Sequence, residues 1–304
     1  MLKSKVLIVG GTGFIGKNLI LKLQKKKSFI IHSISRNKIT NSNKIKNVKY
    51  FFFDIAKKKN LNKFLKDRYD YIFNLGGNID HSNKKKTHEA HYLGFNNLSN
   101  FFIDKKIKKF IQIGSSVEYE FTRAPQSENR KINIKKLYSS YSLSKYKSTI
   151  KAQELFKKKK FPIIIVRVFL AYGPYQKLNR LIPYVINSAL QNLSFNCSGG
   201  NQCRDYIYID DVVNFLILLM KKNEFNGEIF NLGSGKPIKI KDLINKICKF
   251  IKKGKPKFGI VNLRKDEPLK LFADTKKTKK LLKWRPKYTL ESGLLKTISH
   301  YRKN

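Results

Sequence analysis

The stretch Lys5-Val-Leu-Ile-Val9, followed by Gly10-Gly-Thr-Gly13-Phe-Ile-Gly16 and then by Leu19, Ile20 and Leu23, decides the fold. The first five residues are an apolar, β-branched run, and the last three recur at helical spacing. Between them the glycines permit a tight turn and a close backbone approach to whatever lies at the helix N-terminus. That terminus is a ready anion site, because the first N–H groups of a helix have no intrahelical partner. Gly10, Gly13, Phe14, Ile15 and Gly16 are therefore the expected cradle of a dinucleotide pyrophosphate.

Working outward, apolar strand-like runs recur at 29–35, 48–53, 71–75, 110–113 and 162–168, with helical stretches near 87–105 and 141–157. Buried strands alternating with helices specify a parallel sheet covered on both faces, the doubly wound α/β (Rossmann) architecture. Beyond Pro174 the rhythm changes to a helix near 181–191, a polar loop at 198–200 and a strand near 205–209. Helices near 212–220 and 238–251 follow, and 262–271 and 284–288 read as loop-rich. The expected organisation is a dinucleotide-binding domain at 1–174, to which 205–232 return. Residues 175–204 and 233–304 then make a smaller, discontinuous C-terminal substrate lobe. Such a lobe closes the crevice at the carboxyl ends of the strands, where open α/β sheets bind ligands.

The chain of 304 residues is long enough to bury a sizeable core without covalent staples. Its 65 basic and 20 acidic residues give a formal charge of +45, which raises nucleic acid or an anionic membrane as partners. Lysine far outnumbers arginine and is spread from end to end, beside abundant Asn, Ile and Phe. That is the mark of an AT-rich coding sequence and a solvated coat, since arginine is the preferred reader of phosphates and bases. No specific nucleic-acid partner is expected. Cys197, Cys203 and Cys248 lack the spacing of a zinc site or a disulfide framework and read as reduced thiols. No metal site is expected. No apolar run approaches the roughly 18 residues of a membrane span. Lys3 and Lys5 ahead of an apolar stretch look like a signal peptide, but that stretch runs into the glycine turn. The expectation is a cytoplasmic protein with no membrane partner, and a homodimer where it assembles.

Three further patterns carry chemistry. At the tip of the second strand, where a carboxylate would bind the ribose hydroxyls of NAD, stand Ser35 and Arg36. A hydroxyl and a guanidinium suit a 2′-phosphate, so NADP is expected, with NAD as the alternative. In Tyr141-Ser-Leu-Ser-Lys145 the phenol and the ammonium share one helix face. An adjacent cation favours the phenolate, which adapts a tyrosine to exchange a proton with a sugar hydroxyl or carbonyl. Ser115-Ser116-Val-Glu118-Tyr119 ends the fifth strand, at the sheet edge where a hydroxyl can bond the reacting oxygen.

Together these residues resemble the extended short-chain dehydrogenases/reductases, in the NAD-dependent epimerase/dehydratase branch that modifies sugar nucleotides. The likeness covers nearly the whole chain. It takes in the glycine turn, Asp54, Asn74–Gly77, the Ser-Ser-x-Glu-Tyr stretch, YSLSK and Arg167 with Tyr172-Gly-Pro174. It continues through Arg204-Asp205-Tyr-Ile-Tyr, Asp210-Asp211, Asn231-Leu-Gly-Ser-Gly235 and Trp284-Arg-Pro286. The resemblance implies that Asp54 and Ile55 contact the adenine and that Leu75, Gly76 and Gly77 line the cofactor. It implies a catalytic triad of Ser115, with Ser116 close behind, Tyr141 and Lys145; the last two also touch the cofactor. It further implies that Arg204 grips a nucleotide diphosphate, with Arg180 and Arg264 as companions. His81 and Glu118 are added as substrate contacts. Two departures stand out: His91 where the family usually has Asn, and Leu170 in place of an Asn before Tyr172.

Family members dehydrate, epimerise or reduce the sugar. With Ser115 as the triad hydroxyl, Ser116 and Val117 occupy the positions where a dehydratase carries its acid, so dehydration is demoted. The NADP signal then puts first the reduction of a 4-keto-6-deoxy nucleotide sugar, a step of surface polysaccharide synthesis. Epimerisation at C4 comes second, and a non-catalytic nucleotide- or nucleic-acid-binding protein third.

Overall fold

The computed structural model describes residues 3–78, 82–120, 122–263 and 267–303. In chain order its first half contains β1 (Ser4–Val9), α1 (Phe14–Gln24), β2 (Phe29–Ser35), β3 (Val48–Phe52), α2 (Lys58–Phe64) and β4 (Tyr71–Asn74). Next come α3 (Lys84–His88), α4 (Gly94–Phe102), β5 (Lys109–Ser115), α5 (Ser140–Lys159) and β6 (Ile163–Val168). The remainder contains β7 (Leu170–Tyr172), α6 (Leu181–Leu190), β8 (Ser194–Asn196), β9 (Cys203–Tyr208), α7 (Ile209–Leu219) and β10 (Ile229–Leu232). It ends with β11 (Pro237–Lys239), α8 (Ile240–Ile251), β12 (Lys255–Lys257), β13 (Lys270–Leu271), α9 (Lys276–Leu282) and α10 (Leu290–Arg302).

Seven strands form one sheet in the order β10-β6-β5-β4-β1-β2-β3, with β1 pairing β2 and β4, and β4 pairing β5, all in parallel. The doubly wound α/β fold read from the sequence is the fold observed. β5 and β6 are buried at every position, as strands covered on both faces must be. Leu7, Val9, Ile34, Phe95, Leu98, Phe110, Ile163 and Ile165 pack into one apolar cluster. α1 contributes Leu19, Ile20 and Leu23, the three residues whose spacing predicts it.

The chain divides into two compact units. The first comprises Met1–Glu118, Asn133–Arg167 and Val213–Phe230, and the second Tyr119–Ile132, Val168–Val212 and Asn231–Asn304. These boundaries differ from a division at Pro174 for a concrete reason. β9 pairs with β7, β11 and β13, so 203–208 lie in the small sheet of the second unit, and only 213–230 return. Within that unit Asp205 fastens the sheet. Its buried carboxylate accepts from Ser234 N and Oγ, Gly235 N and Ala273 N at 2.6–3.0 Å. Asp211 likewise accepts from Lys287 N and Tyr288 N, which fixes the segment ahead of α10. Among the described residues no helix is long and apolar enough to cross a membrane.

Candidate active site

The glycine turn joins β1 to α1. Gly10 has φ +81°, its N–H donates to Ile34 O at 2.7 Å, and its carbonyl accepts from Gly13 N at 3.0 Å. A Cβ on Gly16 would come within 2.2 Å of that carbonyl, so only glycine lets the first turn of the helix settle onto the loop. Gly13 is the extended N-cap of α1, and Phe14 and Ile15, half-buried, begin the helix.

At the end of β2 Ser35 is buried, and its Oγ accepts from Thr12 Oγ1 in the turn at 2.8 Å. Arg36 follows and is exposed. Beyond β3, Asp54 Oδ1 accepts from Ala56 N at 2.9 Å, and Ile55 is buried. Asn97 of α4 donates to Ile55 O and Ala56 O, which holds this corner to the helix behind it. Leu75 N donates to Val9 O at 3.0 Å, and a Cβ on Gly10 would lie 3.0 Å from Gly76 N and Cα. The loop after β4 therefore lies directly against the glycine turn.

The residues expected to handle the proton stand on β5 and α5. Ser139 caps α5 by accepting from Ser142 N at 2.9 Å, which starts the helix one residue before Tyr141. Tyr141 is half-buried and Lys145 buried, one turn apart on the same face. Lys145 Nζ donates to Ile113 O at 2.8 Å, which brings the ammonium to the strand that ends in Ser115. Burial pushes this ammonium down to about 8, against the opposing pull of Glu118. Ser115 and Ser116 are both buried, and Ser115 Oγ accepts from Val117 N at 3.4 Å.

Glu118 is not presented to a ligand, contrary to its expected role as a substrate contact. It is 0% exposed; Oε2 accepts from Arg167 Nε at 2.8 Å and Thr149 Oγ1 at 2.7 Å, and Oε1 from Ser115 N at 2.8 Å. The carboxylate joins the end of β5 to α5 and β6. Thr149 and Arg167 thus support the site without having been singled out for that role. Their signal in the sequence is weak: Thr149 is two helical turns beyond Tyr141, and Arg167 is one polar residue in the run Ile163–Val168.

In the second unit Arg204 is buried on β9, where it donates to Glu267 Oε1 at 2.7 Å and to Cys203 O at 2.9 Å. Arg180 is exposed at the N-cap of α6. His81 and Arg264 lie outside the described residues. Within the first unit, then, the turn, Ser35, the 75–77 loop, Ser115, Ser116, Tyr141 and Lys145 sit on neighbouring elements, while Arg180 and Arg204 belong to the second.

The model of the NAD dependent epimerase/dehydratase family matches residues 6–233. The chain is similar to a dTDP-D-glucose 4,6-dehydratase of Dictyostelium discoideum, 32% identical over 253 residues. The match covers 76% of this chain and spans 58% of the length of that relative. A UDP-glucose 4-epimerase from Thermotoga maritima, solved with UDP-glucose, superposes with a TM-score of 0.90 at 24% identity, covering 98% of this chain and 99% of that one. A UDP-glucuronic acid 4-epimerase from Bacillus cereus, solved with UDP-glucuronic acid and NAD, gives a TM-score of 0.86 at 24% identity, with 98% and 99% covered. The family match takes in the turn, the serines, YSLSK and the Arg204-Asp205 segment, and the chain belongs to the NAD dependent epimerase/dehydratase family.

Proposed function

We infer that this protein uses a nicotinamide dinucleotide to reduce a 4-keto-6-deoxy nucleotide sugar, with NADP as its cofactor. The residues fit such a dinucleotide. The turn at Gly10–Gly16 leaves no room for side chains between loop and helix, and α1 offers its first N–H groups to the pyrophosphate. Ser35 and Arg36 would hold the 2′-phosphate, Asp54 and Ile55 the adenine, and Leu75, Gly76 and Gly77 the nicotinamide half. When bound, the reduced nicotinamide supplies a hydride to the carbonyl carbon.

What this chain does is manage the proton. The Tyr141 phenol protonates the carbonyl oxygen as the carbon is reduced and regains its proton from solvent, while the Lys145 ammonium stabilises the phenolate. Ser115 or Ser116 donates a hydrogen bond to the same oxygen. Arg204, and with it Arg180 and Arg264, carries the diphosphate. The commitment of Glu118 to Arg167, Thr149 and Ser115 N argues against dehydration, because it takes that carboxylate out of reach as the acid that would expel hydroxide.

The observation that carries reduction is the absence of an acid at Ser35 and Arg36, where NAD would need one. Epimerisation at C4 is the second reading. It is favoured by the exposure of Arg36, which leaves the charge that would select a 2′-phosphate on one unburied side chain. Incubation with NADPH and a 4-keto-6-deoxy nucleotide sugar decides between them. Stoichiometric loss of NADPH supports reduction. Interconversion of 4-hydroxy epimers without net cofactor consumption supports epimerisation. Neither reaction, or a Tyr141→Phe variant that turns over within threefold of wild type, defeats the reading.

A further inference from the structure

The sequence predicts one continuous helix near 87–105, but the chain forms a π-helical turn at Glu89–Leu93 between α3 and α4. Such turns insert a residue into the helical ladder and rotate the side chains that follow. Here the turn carries His91, whose backbone carbonyl lies 2.7 Å from Ser148 Oγ. Ser148 is on the face of α5 that bears Tyr141 and Lys145, at seven and three residues' remove.

The His91 ring is buried and touches two parts of the candidate site at once. Its centroid lies 4.8 Å from that of Tyr141, with the planes tilted by 60°. On its other side Nε2 is 3.1 Å from both the N and the O of Asn78, so a neutral ring accepts from one or donates to the other. The loop backbone lies close against the ring: a Cβ on Gly77 would come within 2.4 Å of His91 Cε1. A side chain that only filled space would need no polar edge, whereas this one bonds the loop while its face abuts the phenol.

We propose that His91 is a positioning residue that sets Tyr141 and the 75–78 loop in register, so that the proton donor and the loop lining the cofactor are placed by one imidazole. The assignment rests on the roles given above to Tyr141 and to Leu75–Gly77. It makes the two functions separable. His91→Phe keeps an aromatic face against Tyr141 and loses the bond to Asn78. His91→Gln places an amide near the Nε2 position and loses the ring.

The experiment measures dissociation constants for NADP and NAD by titration, turnover with the keto sugar at saturating NADPH, and Tm for wild type and both variants. His91→Phe is expected to weaken cofactor binding at least tenfold with turnover within threefold of wild type. His91→Gln is expected to bind cofactor within threefold and to lose at least tenfold in turnover. Variants that lose both quantities together, or neither, overturn the assignment. If either fails to fold, Gly77→Ala reads the loop contact from the other side, and an unchanged cofactor dissociation constant overturns the assignment as well. A wild type that binds neither dinucleotide removes the functional reading and this assignment with it. One that binds but does not turn over removes only the reaction, and the cofactor titrations then decide.

Discussion

Arg167 Nε donates to Glu118 Oε2 at 2.8 Å, and both side chains are cut off from water, at 2% and 0% exposure. A buried pair of this kind is weak evidence of net stabilisation, but removing one partner strands a charge in a low-dielectric interior. Glu118→Ala is therefore expected to cost about 3–5 kcal/mol of stability, whereas Glu118→Leu with Arg167→Met should recover most of it. Urea unfolding checks this, and a double variant no more stable than Glu118→Ala would contradict it.

The depressed Lys145 ammonium is expected to make activity and stability respond to pH in opposite directions. Burial holds it down to about 8 in the folded protein, against an ordinary value of 10.5, with Glu118 opposing. Between these values the unfolded chain binds more protons, so the folded state gains stability as pH rises through the window. Turnover should instead fall above pH about 8, as the cation beside the phenol is lost. The check is the difference in Tm between wild type and Lys145→Met from pH about 7 to 10. Lys109, also pushed down to about 8 by burial, cancels in that difference. A difference that does not change with pH removes the depressed pKa.

Arg36 gives cofactor choice its sharpest test. A guanidinium gains a charge-assisted contact with a 2′-phosphate that NAD cannot offer, so NADPH is expected to bind at least tenfold more tightly, about 1.4 kcal/mol. Ser35→Asp with Arg36→Ala should invert the preference by adding repulsion as well as removing attraction. Competitive titration of wild type that favours NADH would retire both the Arg36 role and the preference for reduction over epimerisation.

Arg204 meets Glu267 at 2.7 Å, so its charge is balanced before any ligand binds. Arg204→Ala should weaken nucleotide-sugar binding by roughly 1.5–3 kcal/mol, and Arg204→Lys should restore little of it, since a point charge lacks the planar fork. The KM for the keto sugar is the measurement, and an unchanged value takes Arg204 out of the substrate site.

Much of the architecture is legible locally. β2 spans Phe29–Ser35, the range its apolar run marks, and α1 buries the three residues that announce it. The loss of rhythm past Pro174 hides more. α10 spans Leu290–Arg302 although its apolar positions Leu290, Leu294 and Ile298 recur four apart and could have been read as a helix. β8, β11 and β12 are three residues each, too short for any period to show.

The sequence by itself determined the doubly wound sheet, the glycine turn and the placing of Tyr141 and Lys145 one turn apart on α5, because each follows from neighbours within a few positions along one strand or helix. Tertiary structure alone decided the rest. Glu118 meets partners 31 and 49 residues away, Lys145 reaches back 32 to Ile113, and His91 meets Asn78 across 13. No local period encodes those meetings. A carboxylate next to a pair of serines reads equally as a ligand contact or as a keystone, and only the packing of β5, β6 and α5 around it leaves the second.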